Sequence, residues 1–382
     1  VNRLRDKEIR PGDRWVYSAG FNVAPDLRDT VRIDAELPDL ERILHAGGRV
    51  AILSHQGSHG DADELDHVAA YLTDRLGSAV GYVRDNDTAG AARLARALRP
   101  GTATLFGNTR RHAGEQRNDP ELARRFAALG DAVAVGGFSK AHRAHASNAG
   151  ILRFLPGYVT DSVLREVALL EPWAGVSDRF SVAVLGGVKR EKTVIGLDAV
   201  SRAYDVVVPG GVVLNSLLRA LGHDVGASDL GDDPDGCLRV ARAVLGRANR
   251  ARIHIPRHVV VTRGGAARTV AVEQIPPGWS IADLVPLPWL RDALTRLVGD
   301  GGRAFIAGTP CRYAAGFRDS AEQLLAAFAA PGVDALLMGG DTIAELPWEG
   351  RVSTGGGAAL HFLAHGTCPV LDAVRTGSEG TT

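Results

Sequence analysis

Four short apolar runs in the second half of the chain end in glycine. Ser181 to Leu185 runs into Gly186-Gly187, and Asp205 to Val208 into Pro209-Gly210-Gly211. Ala304 to Ile306 runs into Gly308, and Ala335 to Met338 into Gly339-Gly340. Runs this short, bounded by turns, have the length of buried strands rather than helices. Glycine at each exit would exclude large side chains along one rim, as a nucleotide lying across the sheet requires. At the last exit, Gly339-Gly340-Asp341-Thr342 reads as a tight turn, with Asp341 or Thr342 capping a helix. Further on, Gly355-Gly356-Gly357 leads into Ala358-Ala359-Leu360-His361-Phe362, a second helix start. Backbone N–H groups in such turns can close on an anion, and a helix N-terminus adds partial positive charge. One such turn is ordinary; two close together suggest a polyphosphate site.

The first half alternates strand and helix patterns. Strands are expected at Arg14 to Ala19, Arg49 to Leu53, Ala79 to Val83, Thr102 to Phe106 and Ala132 to Val135. Helices are expected at Glu36 to His45, Asp61 to Leu76, Thr88 to Leu98 and Pro120 to Leu129. This is the sequence form of a parallel sheet covered on both faces. Polar residues gather after the strands: His55, then Asn108 and Arg110, then His142, Arg143 and His145. Ligands of open α/β sheets bind outside the carboxyl ends of strands. A basic pocket for an anionic small molecule is therefore expected in the first half. Residues 157 to 172 read as a connecting helix. Gly264-Gly265 and Gly299 to Gly302 read as plain turns, and the chain from Thr376 onward as a fraying end.

The 382 residues allow two domains of ordinary size. Lys plus Arg equals Asp plus Glu, at 44 each, which argues against a nucleic-acid or membrane-surface partner. No apolar stretch reaches the roughly 18 residues of a membrane span. There is no secretory signal pattern, and three scattered cysteines form neither a disulfide framework nor a metal cluster, so the cytosol is the expected compartment. Only four of the 44 basic residues are lysines: Lys7, Lys140, Lys189 and Lys192. Two of these follow Gly186-Gly187 directly. A compact ammonium on a flexible stem suits a moving phosphoryl group better than a guanidinium fork does.

Five motifs together resemble the phosphoglycerate kinase family over nearly the whole chain. They are Asn118-Asp119-Pro120-Glu121-Leu122, Ala141-His142-Arg143-Ala144-His145-Ala146-Ser147, Leu185-Gly186-Gly187-Val188-Lys189, Gly339-Gly340-Asp341-Thr342 and Ser353-Thr354-Gly355-Gly356-Gly357-Ala358. The resemblance implies an α/β fold of two doubly wound parallel-sheet domains joined by a hinge helix. The expected boundaries are 1–156 for an acid-substrate domain, 157–172 for the connecting helix, 173–350 for a nucleotide domain, and 351–382 for a segment returning to the first domain. It also implies phosphoryl transfer between ATP, with Mg²⁺, and a carboxylate, through positioning and charge neutralisation. By position, Arg32 matches the arginine that meets the carboxylate and the transferring group. Asn22, His55, Arg110 and Arg143 match acid-binding positions. Lys189 matches the lysine that accompanies the phosphoryl group; Lys192 matches a second phosphate lysine one residue short, with Thr193 competing. Gly340 and Gly355 to Gly357 match backbone donors, Asp341 the Mg²⁺ ligand, and Thr342 a phosphate-contacting hydroxyl. Gly186, Gly187, Gly210, Gly211, Gly308 and Gly339 complete the expected nucleotide rim.

The departures from the resemblance fall on recognition. The family's Arg-Val-Asp-Phe-Asn-Val reads Ser18-Ala19-Gly20-Phe21-Asn22-Val23, so an arginine and an aspartate are missing. Ser-His-Leu-Gly-Arg-Pro reads Ser54-His55-Gln56-Gly57-Ser58-His59, which replaces a phosphate-binding arginine. Losing one charge-assisted contact costs about 1.5–3 kcal/mol; His59 could replace part of it if protonated. The aspartate before Asp-Val-Val-Val is His258. Trp-Asn-Gly-Pro-Met-Gly-Val-Phe-Glu begins at Ile306-Ala307-Gly308 and has lost the asparagine and the ribose glutamate; Arg312 could meet a phosphate there. The nucleotide would then be held differently, or be other than ATP. The expected activity is phosphorylation of a carboxylic acid other than 3-phosphoglycerate, with the acyl phosphate open to capture by an amine or hydroxyl in a specialised biosynthesis. An ordinary glycolytic kinase and a catalytically silent binding protein are the alternatives. A monomer or small homo-oligomer is expected.

Overall fold

The covered-sheet pattern of the first half forms β1 (Arg14–Ser18), β2 (Arg49–Ser54), β3 (Val80–Val83), β4 (Ala103–Asn108), β5 (Ala132–Val135) and β6 (Gly157–Val159) in a computed structural model. Residues 1–28 and 30–379 are described, the last two by backbone alone. The strands are all parallel, in the order β3-β4-β2-β1-β5-β6. Val50 to Leu53 and Ala132 to Val135 are buried throughout, which is why these strands read as continuous apolar runs. Helix starts follow the cap signals: Thr88 accepts from Ala91 N–H and Asp119 from Leu122 N–H, at 3.0 and 2.9 Å. The chain leaves β1 toward β2 and later returns to β5 on the other side of β1. The topological switch point of this sheet therefore lies between β1 and β5.

The second half repeats the plan with β7 (Ser181–Leu185), β8 (Val206–Pro209) and β9 (Arg252–Ile253). An antiparallel sheet follows, built from β10 (His258–Arg263), β11 (Ala266–Ala271) and β12 (Ser280–Leu284) in the order β11-β10-β12. Then come β13 (Arg303–Ala307), β14 (Asp334–Met338) and β15 (Arg351–Ser353). The large sheet is parallel, in the order β15-β14-β13-β7-β8-β9. Its switch point lies between β7 and β13. Val184, Val208, Ile306 and Leu337 pack in one core against Val259 and Val261 of the small sheet. No helix among the described residues is long and apolar enough to cross a membrane.

The chain divides into two units, Val1–Ala168 with the described residues from 367 on, and Leu169–Gly366. Residues 351–366 thus belong to the second unit, whereas the sequence places them in the segment returning to the first. The reason is pairing: β15 extends the large sheet through Leu336 to Met338. In the first unit the helix Pro369–Glu379 lies against β6, where a Cβ on Gly157 would be 3.3 Å from Val374 Cγ2. That helix continues past Thr376; residues 380–382 lie outside the described chain.

Other expectations change locally. Residues 157–159 are not helical, because they pair with Val133 to Val135 as an edge strand. The connecting helix is Asp161–Leu170, and Pro172 falls in the short turn Glu171–Trp173. The helix expected from Asp61 begins at Asp66, because the Asp61 carboxylate closes a turn on Ser58 instead. The small antiparallel sheet has no counterpart in the sequence reading, apart from the Gly264-Gly265 turn that joins β10 to β11.

Candidate functional site

In the first unit the residues after β2, β4 and β5 converge electrostatically. Arg110 is buried, with its Nε enclosed and unpartnered. Burial and then the positive Arg143 pull its pKa down. The same field acts on the histidines. Burial, then Arg110, Lys140 and Arg143, hold His55 well below its ordinary value; burial, then Arg110 and Arg143, take His145 down to about 3. At neutral pH both rings are neutral, and the positive charge rests on the arginines. An anion placed there relieves the Arg110–Arg143 repulsion and satisfies enclosed donors. Asn22 is exposed beyond β1, and Arg32 is exposed on the short helix Val31–Asp34.

At the switch point between β1 and β5 the backbone closes up. A Cβ on Gly20 would lie 2.6 Å from Gly137 Cα and 2.9 Å from Glu36 Oε1. No side chain fits at position 20, and the nearby volume holds the Glu36 carboxylate, which accepts the Gly20 N–H at 3.0 Å. The following loop is also closed. Ser58 donates through N–H, at 2.6 Å, and through its hydroxyl to Asp61 Oδ1. These bonds hold the Asp61 carboxyl below its usual range. Position 58 therefore carries a nearby negative charge, where the family resemblance puts a positive one. His59 directs Nδ1 to the Arg110 carbonyl oxygen at 3.1 Å, which makes Nδ1 the protonated nitrogen. That nitrogen is unavailable to a ligand.

In the second unit the rim glycines divide into two kinds. A Cβ on Gly186 would meet Thr309 O at 2.3 Å, one on Gly308 would meet Gly186 O at 2.1 Å, and one on Gly210 would meet Pro310 O at 2.2 Å. Gly211 likewise faces Gly187 O at 2.2 Å, and Gly187 N–H donates to Thr309 O at 2.8 Å. These glycines let strand exits pack on one another, so at Gly186, Gly210, Gly211 and Gly308 side chains are excluded by the protein's own backbone. Gly340 and Gly356 differ: a Cβ on either would have no neighbour within 4 Å, and Gly339, with φ +92°, would have only Thr342 Oγ1 at 3.7 Å. The open part of the rim is therefore at the ends of β14 and β15.

Neither Asp341 nor Thr342 caps the helix Gly340–Glu345; Gly339 holds that position without a side-chain bond. Thr342 Oγ1 instead accepts the Gly308 N–H at 3.1 Å, which ties the helix to the β13 exit. The Asp341 carboxylate is exposed and pairs with Lys189 Nζ at 2.8 Å. Lys189 holds it below the usual carboxylate range. Gly339 N–H donates to Ser353 O at 2.9 Å and Gly355 N–H to Ser353 Oγ at 3.1 Å, so these two donors are already engaged. The first helical bonds run from Ile343 N–H to Gly339 O and from Ala359 N–H to Gly355 O. The N–H groups of Gly340 to Thr342 and of Gly356 to Ala358 precede them, as the first turn of any helix does.

The one-residue ambiguity at Lys192 and Thr193 falls in a π-helical turn, Lys192–Leu197. Thr193 is fully buried beside Cys237. Lys192 is buried too, but its charge acts on the Lys189–Asp341 pair; burial and then Lys189 bring its pKa down to about 8. The wider turn thus turns Lys192 toward the charged rim.

Three residues here escaped the sequence reading. Glu345, which ends the helix Gly340–Glu345, accepts from Thr309 Oγ1 at 2.5 Å and from Ala314 N–H at 3.1 Å. It brings a carboxylate to the β13 exit, where the sequence showed none. Glu36 and Lys140 are the other two. The scarcity of lysine marks Lys140 as much as Lys189 and Lys192.

The family model described as phosphoglycerate kinase matches residues 13–366. The phosphoglycerate kinase of Thermus thermophilus is 32% identical over 385 residues, covering 95% of this chain and 97% of the relative. That of Desulforudis audaxviator is 33% identical, covering 94% and 95%. The solved structure of the phosphoglycerate kinase from Coxiella burnetii superimposes with a TM-score of 0.72 at 25% identity, covering 99% of both chains.

Proposed function

The chain belongs to the phosphoglycerate kinase family, and from that premise we propose that it phosphorylates a carboxylic acid other than 3-phosphoglycerate at the expense of Mg-ATP. The acid binds in the first unit, to Asn22, Arg32, His55, Arg110 and Arg143. The nucleotide binds in the second, at Lys189, Lys192 and the open turns around Gly340 and Gly356. One observation carries the difference in substrate. Position 20 is shut by Gly137 and Glu36, and position 58 is tied to an ionised Asp61. The departures from the family are thus built into packing, and a phosphate dianion gains one contact fewer and meets one more negative charge.

The transfer needs no covalent nucleophile from the protein. A carboxylate oxygen of the acid attacks the terminal phosphorus, the bond to the bridging oxygen breaks, and ADP leaves with the electron pair. Arg32 steadies the attacking carboxylate. Lys189, exposed on a flexible stem, follows the phosphoryl group, and backbone N–H groups at Gly340 and Gly356 take up charge on its oxygens. The reaction requires acid and phosphate to come within about 3–3.5 Å. Asp341 suits Mg²⁺: it is exposed, kept ionised by Lys189, and a hard oxygen donor of the kind that ion shares with phosphate oxygens and water. Mg²⁺, when bound, supplies charge neutralisation on the phosphates. Glu345 is read as the acceptor for ribose hydroxyls.

The product, an acyl phosphate, is an acylating agent open to capture by an amine or hydroxyl acceptor. We read the enzyme as cytoplasmic, and as a monomer or small homo-oligomer. A second reading, ordinary 3-phosphoglycerate phosphorylation, is favoured by the names of its relatives. ADP release with a panel of carboxylic acids, with and without amines, separates the two. Another acid should exceed 3-phosphoglycerate in kcat/KM by roughly tenfold or more, as the loss of one charge-assisted contact implies. Preference for 3-phosphoglycerate over every acid would refute the proposal.

A further inference from the structure

Three glycines empty a volume at the switch point between β1 and β5, and two opposite charges fill it. A Cβ on Gly136 would lie 2.2 Å from Glu36 Oε2; a Cβ on Gly137 would lie 2.5 Å from Gly20 Cα and 2.9 Å from Lys140 Cε. The contact between Gly20 and Gly137 is thus bracketed by Glu36 and Lys140. Both side chains are buried, at 3% and 4% exposure. Each is the other's strongest charge partner: burial pushes Glu36 up to about 7 and Lys140 down to about 8, and the opposite charge counters both. Hydrophobic residues of similar volume would fill such a site at no greater cost. Stability alone therefore does not account for the pair.

What the pair does is reach the loops that carry the acid-binding residues. Glu36 follows Arg32 by four residues, in the stretch between the helices Val31–Asp34 and Leu37–His45. Its Oε1 accepts the N–H of Gly20, two residues before Asn22. Lys140 donates to Ser18 Oγ, at the end of β1, at 2.5 Å, and to Asn148 Oδ1 at 3.0 Å. Asn148 in turn donates to the carbonyls of Lys140 and Arg143, at 3.0 and 2.9 Å. Ser18 Oγ donates on to Ser147 O at 2.8 Å, and Ser147 is held by Glu115 through its N–H at 3.0 Å.

We propose that Glu36 and Lys140 are a buried positioning pair that holds the acid-binding loops in register. Glu36 joins the Arg32 segment to the Asn22 loop, and Lys140 joins the Arg143 loop to the end of β1. The proposal rests on the acid-site reading above and adds two residues that touch neither reactant.

The test uses the full chain with E36Q, K140M, E36D and the E36Q/K140M double variant. E36D keeps the charge but shortens the reach to Gly20. Hydrogen–deuterium exchange without ligand is read on peptides spanning 19–23 and 141–149. ADP release is then measured with the acid that performs best in the panel. E36Q and E36D should speed exchange at 19–23 by roughly tenfold, and K140M at 141–149, with the second unit unchanged. The KM for the acid should rise by roughly tenfold, while the KM for Mg-ATP stays within about twofold. The double variant should recover part of the loss, since neither charge is left alone. Should K140M fail to fold, E36D and the double variant decide. Acid KM and loop exchange both unchanged in E36Q and E36D would overturn the proposal, even with a lowered Tm. If no acid drives ADP release, the acid-site reading fails, and exchange still decides the pair.

Discussion

The two switch points of this molecule start from the same construction and end differently. In each, the first strand of the sheet and the strand on its far side exit into glycines whose backbones touch: Gly20 on Gly137, and Gly186 on Gly308. In each, a lysine and a carboxylate lie close by. At the first, Glu36 and Lys140 are buried and bonded inward, to Gly20, Ser18 and Asn148. At the second, Lys189 and Asp341 are exposed at 66% and 85% of their side-chain surface and pair with one another. A sealed pair can set the shape of loops. An exposed pair can be taken apart by a ligand at little cost. The same residue types are thus sealed inside one unit and exposed on the surface of the other.

The largest expected effect falls on the exposed pair. Lys189→Ala should lower the rate of ADP release by about 10²–10³, the usual loss for one donor to developing charge, with Tm unchanged. An unaltered rate would remove the second switch point from the chemistry. The converse holds for the sealed pair. Lys140→Met removes the donor to Ser18 Oγ and Asn148 Oδ1 and the positive charge that acts on buried Glu36, and should cost about 3 kcal/mol in urea unfolding, the upper end for buried polar groups left unpaired. Lys189→Met should cost less than about 1 kcal/mol in the same experiment. Equal losses would erase the distinction.

Lys192 offers a sharper probe of the open side through pH. Its folded pKa, brought down to about 8 by burial and then by Lys189, leaves it largely neutral in the free protein at mildly alkaline pH. Bound phosphate favours the ammonium, so nucleotide binding takes up a proton there. Calorimetry in buffers of different ionisation enthalpy should find this uptake. The Kd for Mg-ATP should rise toward roughly tenfold per pH unit above about pH 8. Lys192→Met should bind weakly with no such slope; a buffer-independent heat in the wild type would contradict the assignment. The smallest effect concerns Glu345. Glu345→Ala should weaken ATP about tenfold, the worth of one good hydrogen bond, and leave 2′,3′-dideoxy-ATP unaffected. Equal weakening of both nucleotides would assign Glu345 to packing alone.

Strands buried on both faces were legible in the sequence because every residue of Val182 to Leu185 or Ala132 to Val135 is apolar and buried. The pattern needs no knowledge of the partner strand. The β11 strand was not legible, since Ala266 to Thr269 are exposed and carry no alternation. Glycine at the strand exits was legible as an exclusion of side chains, but not its cause. At Gly186, Gly210 and Gly308 the excluding atoms are backbone from other exits, whereas Gly340 and Gly356 face open space. Lys189 and Asp341 sit in local turns that the sequence displays; what the structure adds is that the two side chains meet. Glu36 and Lys140 were not legible, because their meaning depends on Gly20, Gly136 and Gly137 sharing one point, and no local pattern encodes that.

The account stands most directly on position 20. Gly20→Asp restores the residue that the family resemblance expects there, so its thermal unfolding and its kcat/KM with 3-phosphoglycerate can be read together. The account predicts a marked fall in Tm and no gain in turnover, because a Cβ at that position would lie 2.6 Å from Gly137 Cα. A Gly20→Asp protein with wild-type Tm and improved 3-phosphoglycerate turnover would contradict it.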